Sequence, residues 1–233
     1  MILLFEDDFV GEGRVRLSGR RLRHILDIHR AKIGDELSVG LLNGGRGTGT
    51  VHFICEEGLD MDVSLFRPPP PPLPLTLILS LPRPKMLRRV LFSSSSLGVK
   101  KIFLINSYRV DKSYWQTPFL SGGHVRQQLM LGLEQAKDTV LPDVHLRPRF
   151  KPFVEDDLPG LVGSATALVA HPSAAEPCPR DIGGPVVLAV GPEGGFIPYE
   201  IEKMLSSGFR QVHLGERILR VEIAVPYIIS RLF

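Results

Sequence analysis

Two short stretches toward the C-terminal end hold the residues best suited to chemistry. Gly191-Pro192-Glu193-Gly194-Gly195 follows the apolar run Val186-Val187-Leu188-Ala189-Val190. Leu214-Gly215-Glu216-Arg217-Ile218-Leu219-Arg220-Val221-Glu222 follows a second short run, Gln211-Val212-His213. Each reads as a tight, glycine-bearing turn at the end of a buried strand. In an open α/β sheet, ligands bind at the carboxyl ends of strands, so two such turns point to one site built from several loops. Glycines allow positive φ and close approach of backbone to ligand. Neither GxGxxG nor GxxxxGK[ST] occurs. With no lysine stationed to meet phosphate, a backbone-lined pocket suits an adenosine moiety better than a polyphosphate. Arg220 and Glu222 give the site charge. An ordinary strand-to-helix turn is the competing reading of the glycines.

The rest of the chain supplies the scaffold. Arg67-Pro68-Pro69-Pro70-Pro71-Pro72-Leu73-Pro74 marks a boundary, because consecutive prolines lock φ and favour an extended, semi-rigid segment. It separates residues 1–67 from 75–233, with 68–74 as linker. Before it the pattern is β-rich. Gly34-Asp35 turns into a strand over 36–39, Asn43-Gly44-Gly45 is a hairpin signal, and 48–55 and 61–66 are further strands. Leu22, Ile25, Leu26 and His29 are spaced for a short helix over 20–29. A small barrel fits. After the linker, strands at 75–81, 101–105, 165–170, 186–190 and 211–214 alternate with helices at 85–97, 124–137 and 198–207. That alternation predicts an α/β domain with a mostly parallel sheet.

Composition narrows the classes. With 233 residues and 43% hydrophobic content a real core can form. No apolar run approaches the length needed to cross a bilayer. The start, Met1-Ile2-Leu3-Leu4-Phe5-Glu6-Asp7-Asp8, turns acidic too soon for a signal peptide, so a cytoplasmic protein is expected. Cys55 and Cys178 lie outside metal-ligand spacing and the seven histidines do not cluster, so no metal is expected. Net charge is only +3, but residues 67–126 carry ten Lys/Arg against one acidic residue. Within residues 14–32, Arg14, Arg16, Arg20, Arg21, Arg23, Arg30 and Lys32 face only Asp27. Clustered cations of this kind mark a polyanion partner, with a solvated charged face as the alternative.

In combination, these residues resemble the SPOUT-class 16S ribosomal RNA uridine-N3 methyltransferases over nearly the whole chain. The resemblance is carried by His24 with Gly34-Asp35 and Asn43-Gly44-Gly45, by Leu97-Gly98-Val99, and by Glu134-Gln135-Ala136 with Pro142. The Gly191–Gly195 and Leu214–Glu222 stretches carry it most specifically. It implies a PUA-like RNA-binding β-barrel followed by a SPOUT α/β domain with a trefoil knot, which no pattern rule would predict. It also implies a homodimer acting on 16S rRNA or the small ribosomal subunit, with no membrane and no metal. S-adenosylmethionine would be bound in a bent form by His171, Pro172, Gly191, Pro192, Glu193, Gly194, Gly195, Leu214, Gly215, Ile218 and Leu219. The chain departs from the family where Val221-Glu222-Ile223-Ala224 replaces a Thr-Glu-Thr-Ala run, and where Ser93 and Ser96 replace a Lys and a Glu.

The chemistry so implied needs uridine N3 to lose its proton in line with a sulfonium methyl. Arg220 is the candidate for stabilising charge on the uracil carbonyls, and Glu222 for base or orienting partner. An Arg220–Glu222 salt bridge is the structural alternative. Glu193 is expected to cap the helix that follows it. Lys85, Arg88, Arg89 and Arg109, with Arg14, Arg16, Arg20, Arg21 and Arg23, are expected to meet RNA phosphate. The apolar tail 223–233 is expected to serve a homodimer, with Ile228, Ile229 or Leu232 at or near the interface. A methyltransferase for another RNA position and an inactive ribosome-assembly factor are the competing functions.

Overall fold

The computed structural model describes Met1–Phe233 in two compact units. The first comprises Met1–Pro71 with Leu133–Leu141, the second Pro72–Gly132 with Pro142–Phe233.

The first unit is a six-stranded mixed sheet in the order β1-β4-β5-β6-β3-β2. Its strands are β1 (Ile2–Leu4), β2 (Phe9–Gly11), β3 (Arg14–Leu17), β4 (Glu36–Leu41), β5 (Arg46–Ile54) and β6 (Leu59–Arg67). In β3, Val15 and Leu17 are buried while Arg14 and Arg16 face water, the alternation of a half-buried strand. Asn43, in left-handed conformation at φ 60°, makes the β4–β5 turn. Leu41 N–H donates to the Gly45 carbonyl and Gly44 N–H to the Leu41 carbonyl. Gly47 lets β5 lie against β6, since a Cβ there would overlap the Ser64 carbonyl. Helix α1 (Gly19–His24) continues as a π-turn over Ile25–His29 and inserts Leu22 and Ile25 into the core. β1 to β3 escape the sequence pattern. They are three or four residues long, and Ile2-Leu3-Leu4 is buried throughout, so it has no alternation to detect.

The second unit is a seven-stranded, wholly parallel sheet in the order β11-β13-β10-β12-β7-β8-β9. Its strands are β7 (Leu75–Ser80), β8 (Lys101–Ile105), β9 (Asp143–Arg147), β10 (Thr166–Ala170), β11 (Glu176–Pro177), β12 (Val186–Val190) and β13 (Arg210–His213). The helices are α2 (Pro84–Ser96), α3 (Gly122–Ala136, whose last residues lie in the first unit), α4 (Phe150–Pro152), α5 (Leu158–Val162), α6 (Pro198–Ser206) and α7 (Val221–Leu232). A π-turn over Phe153–Asp157 joins α4 to α5. The chain runs from β7 through β8 to the edge strand β9, then returns to lay β10 beyond β12. That reversal makes a switch point, where open sheets bind ligands. The expected parallel α/β sheet is present. β9, β11 and the turns over 150–162 were not read from the sequence. β9 is a polar edge strand, Asp143-Val144-His145-Leu146-Arg147, without a fully buried residue.

Helix α7 packs against α2 and buries Val221, Val225, Ile228, Ile229 and Leu232 within its own unit. Its last carbonyls are closed by Asp181 N–H onto Arg231 and Ile182 N–H onto Leu232, while the Arg231 Nε donates to the Cys178 carbonyl at 2.7 Å. The expectation that Ile228, Ile229 or Leu232 lies at an interface is corrected to the extent that their side chains are covered within the single chain. Ile228 and Leu232 are 0% exposed in the single chain. The apolar residues α7 leaves exposed are Ile223 and Tyr227. No helix is long and apolar enough to cross a membrane, and no group of three His, Cys, Asp or Glu side chains is arranged to hold a metal.

Candidate functional site

The ends of β12, β10 and β13 are neighbours in the sheet, so the loops that leave them converge. From β12 comes Gly191–Gly195, from β10 His171 and Pro172, and from β13 Leu214–Leu219. Backbone links tie the last two, with His171 N–H donating to the Val212 carbonyl at 2.9 Å. The His171 ring is held by Ser173, whose Oγ lies 2.8 Å from Nδ1, and a Cβ built on Gly195 would have His171 Nε2 as its nearest neighbour, at 3.9 Å. Gly195 and Gly215 have φ of 72° and 107°, values that glycine adopts without strain. A Cβ on Gly215 would meet nothing within 4 Å. Pro192 is buried, Gly191 and Leu219 are half-buried, and Ile218 is 82% exposed. The residues selected from the two motifs are thus brought to one rim.

Arg220 is the N-cap of α7 and exposed, with no ion pair. Glu222 lies in the first turn. Its side chain is 9% exposed, Oε1 is 3.8 Å from Arg89 Nη1, and Oε2 is buried without a hydrogen-bond partner. The Arg220–Glu222 salt bridge does not form. Arg89 occupies that place. Pro226 has no N–H to give the Glu222 carbonyl, the donor an uninterrupted helix would supply.

Glu193 does not cap the helix that follows it. Its Oε1 accepts the Arg83 N–H at 3.0 Å, and Arg83 is the N-cap of α2. The cap on α6 comes from Glu200, which is buried and accepts the N–H of Ile197 at 3.0 Å and of Tyr108 at 2.7 Å. The long-range bond of Glu200 to residue 108 has no sequence signal.

The cations divide into two kinds. Arg14 binds Asp62 at 3.1 Å, Arg16 binds Asp60 at 2.7 Å and Arg20 binds Glu134 at 2.9 Å. Arg21 is enclosed, paired with Asp8, donating to the Leu3 carbonyl at 3.0 Å and lying over the Phe5 ring. Four cations of the run that faced only Asp27 in sequence are thus paired with acids from β6, α3 and the turn before β2. Only Arg23 of the five is exposed without an ion pair. In the second unit, Lys85, Arg88, Arg89, Phe92 and Gln128 line a cavity of about 300 Å³. Arg88 lies over the Phe119 ring at 5.2 Å. Arg109, also exposed, donates to the Gly194 carbonyl.

The second unit is thus a parallel α/β domain with glycine-bearing loops at the carboxyl ends of its strands, and it carries one exposed arginine and one buried carboxylate oxygen without a hydrogen-bond partner. Residues 69–233 match the family described as RNA methyltransferase domain. The chain is 30% identical over 240 residues to ribosomal RNA small subunit methyltransferase E of Treponema pallidum, covering 96% of this chain and 86% of the relative. The fold matches a ribosomal RNA small subunit methyltransferase E of Neisseria gonorrhoeae, solved bound to S-adenosyl methionine, with TM-score 0.76, 22% identity and coverage of 99% and 95%. It also matches a methyltransferase of Legionella pneumophila solved with bound cofactor SAM, with TM-score 0.74, 21% identity and coverage of 98% and 95%. The chain belongs to the RNA methyltransferase domain family.

Proposed function

We propose that this chain transfers a methyl group from S-adenosylmethionine to N3 of a specific uridine in 16S ribosomal RNA. The T. pallidum relative is named for the small subunit RNA, and two proteins of this fold were solved with the cofactor. The rim fits such a group. Gly195 and Gly215 leave open space beside backbone, and the guanidinium that bonds the Gly191–Gly195 turn, that of Arg109, is committed to a carbonyl. A nucleoside suits that surface better than a polyphosphate. His171, Pro172, Gly191, Pro192, Gly194, Gly195, Leu214, Gly215, Ile218 and Leu219 form the cradle, with Glu193 behind it. Once bound, the cofactor supplies an electrophilic sulfonium methyl.

The observation that carries the mechanism is the free Oε2 of Glu222. A buried carboxylate oxygen without a donor is costly, and the N3–H of a uracil is a donor of the right kind. Glu222 takes that proton as it leaves, and Arg220 stabilises the negative charge that spreads onto the uracil carbonyls. Residues 1–67 act as a PUA-like RNA-binding barrel, 68–74 as the linker and 75–233 as a SPOUT domain. The bonds from 178–182 to the end of α7 favour a knotted path there. The exposed Ile223 and Tyr227 favour a homodimer through the outer face of α7. The setting is the cytoplasm, with the small subunit or its RNA as substrate.

The test is transfer of labelled methyl to small subunits that lack the modification. Glu222→Gln should bind cofactor within about twofold of the parent and lose roughly 10²–10³ in transfer rate, as for loss of a general base. Transfer at the parental rate would remove Glu222 from the chemistry.

A further inference from the structure

Glu200 is buried and takes no part in the chemistry proposed above. Its two oxygens hold two different chain segments, the loop after β8 through Tyr108 N–H and the start of α6 through Ile197 N–H. One residue on, Arg109 reaches back over the glycine turn. Its guanidinium donates to the Gly194 carbonyl, and its side chain lies so close that a Cβ on Gly194 would stand 3.0 Å from Arg109 Cδ. On the other side Glu193 accepts the Arg83 N–H, at the end of the loop leaving β7. The strands involved, β12, β7 and β8, are adjacent in the sheet. The Gly191–Gly195 turn is therefore tied directly to its neighbours at two points, through Glu193 and the Gly194 carbonyl, and the start of α6 that follows it is tied to the loop after β8 through Glu200. None of the three contacts leaves a side chain facing the open side of Gly195.

We infer that Arg109, Glu193 and Glu200 are positioning residues that hold the glycine turn in its cofactor-binding form, with Arg109 working on the cradle rather than on RNA. The physical basis is the turn's composition. Three glycines within five residues leave a chain with many accessible conformations, and an unbraced turn would have to be ordered at the moment of binding. An Arg109 donor on one carbonyl and a carboxylate on each flank remove that freedom beforehand. Arg109 is the informative member, because it is exposed and contributes little to the core.

This inference rests on the cofactor reading above. The experiment is calorimetric titration of the full chain with S-adenosylmethionine, for parent, Arg109→Ala, Arg109→Lys and Glu200→Gln, run well below each unfolding temperature. A parent that binds no cofactor would fail the functional reading itself. Given parental binding, Arg109→Ala should weaken cofactor affinity about tenfold, about 1.4 kcal/mol. Arg109→Lys, which keeps a donor for the Gly194 carbonyl, should recover most of the loss. Glu200→Gln, which sets an amide N–H₂ against a backbone N–H, should weaken affinity at least as much. Val154→Ala, a core substitution distant in sequence, serves as a stability control and should leave affinity intact. RNA affinity of Arg109→Ala at saturating cofactor should stay within about twofold of the parent, a difference of about 0.4 kcal/mol. Unchanged cofactor affinity with weakened RNA binding would overturn the inference and make Arg109 a phosphate contact. Equal losses in Val154→Ala would also overturn it, as loosening of the whole unit.

Discussion

Replacing Arg88 and Arg89 with alanine should flatten the salt dependence of RNA binding, and removing the Arg16–Asp60 pair should not. Each phosphate contact adds about 0.7 to the slope of log affinity against log salt for single strands and about 0.9 for duplex. Arg88 has no carboxylate partner, and Arg89 stands 3.8 Å from Glu222 without a hydrogen bond. Between one and two contacts are therefore at stake, and the slope should fall by about 0.7 to 1.8. Over a fourfold rise in salt, the loss of affinity should shrink by roughly 3- to 12-fold. Arg16 is instead bonded through Nε and Nη2 to both oxygens of Asp60, at 2.7 Å each. Arg16→Ala/Asp60→Ala leaves net charge unchanged and should move the slope by less than about 0.3. Fluorescence anisotropy with a small-subunit RNA fragment across a salt series reads both. A slope that responds to the Arg16 pair and ignores Arg88/Arg89 would refute the assignment of RNA contact from surface rather than segment charge.

Asp8→Ala should cost the first unit about 3 kcal/mol, because it strands the enclosed Arg21 guanidinium and also removes the acceptor for Phe5 N–H, as urea denaturation would show. Arg147 donates two hydrogen bonds to Asp157, which holds that carboxyl below the usual range. A depressed carboxylate stabilises the fold above its unfolded pKa and loses that contribution as pH falls through the folded value. The parent should therefore melt above Asp157→Asn near neutrality, and the two curves should converge as pH drops below about 4. Equal melting temperatures at pH 7 would contradict this. Gly195→Ala should weaken S-adenosylmethionine binding roughly tenfold, since an L-residue in the left-handed region costs about 1–2 kcal/mol. The space beside Gly195 is open, so the loss comes from backbone strain, and an unchanged dissociation constant would show that the turn does not need positive φ.

The parallel domain was legible because its strands announce themselves. Val186–Val190 is a continuous apolar run and Leu75–Leu79 is apolar but for Thr76, as suits strands covered on both faces, and the glycines after β12 mark a tight turn at the strand's carboxyl end. The hairpin at Asn43 was legible for the same local reason, a residue type that tolerates positive φ. What stayed hidden depends on contacts between residues far apart in the chain. Arg14, Arg16, Arg20 and Arg21 look like one basic patch until β6, α3 and the turn before β2 bring Asp62, Asp60, Glu134 and Asp8 against them. Glu193 faces α2 rather than α6, because the sheet sets β12 beside β7, an adjacency that crosses about 110 residues of sequence. The tail looked like an interface because it is apolar on most faces. Its cover is supplied from within, by α2, with the strand-end segment 178–182 capping its last carbonyls.

The central claim is the transfer of one methyl group to N3 of a uridine in 16S RNA. Mass mapping of that RNA from cells lacking this chain tests it most directly. The account predicts one uridine short by a single methyl group, restored as N3-methyluridine by the parent chain and not by Glu222→Gln. An unaltered methylation map, or a restored methyl on a ribose or a carbon atom, would contradict it.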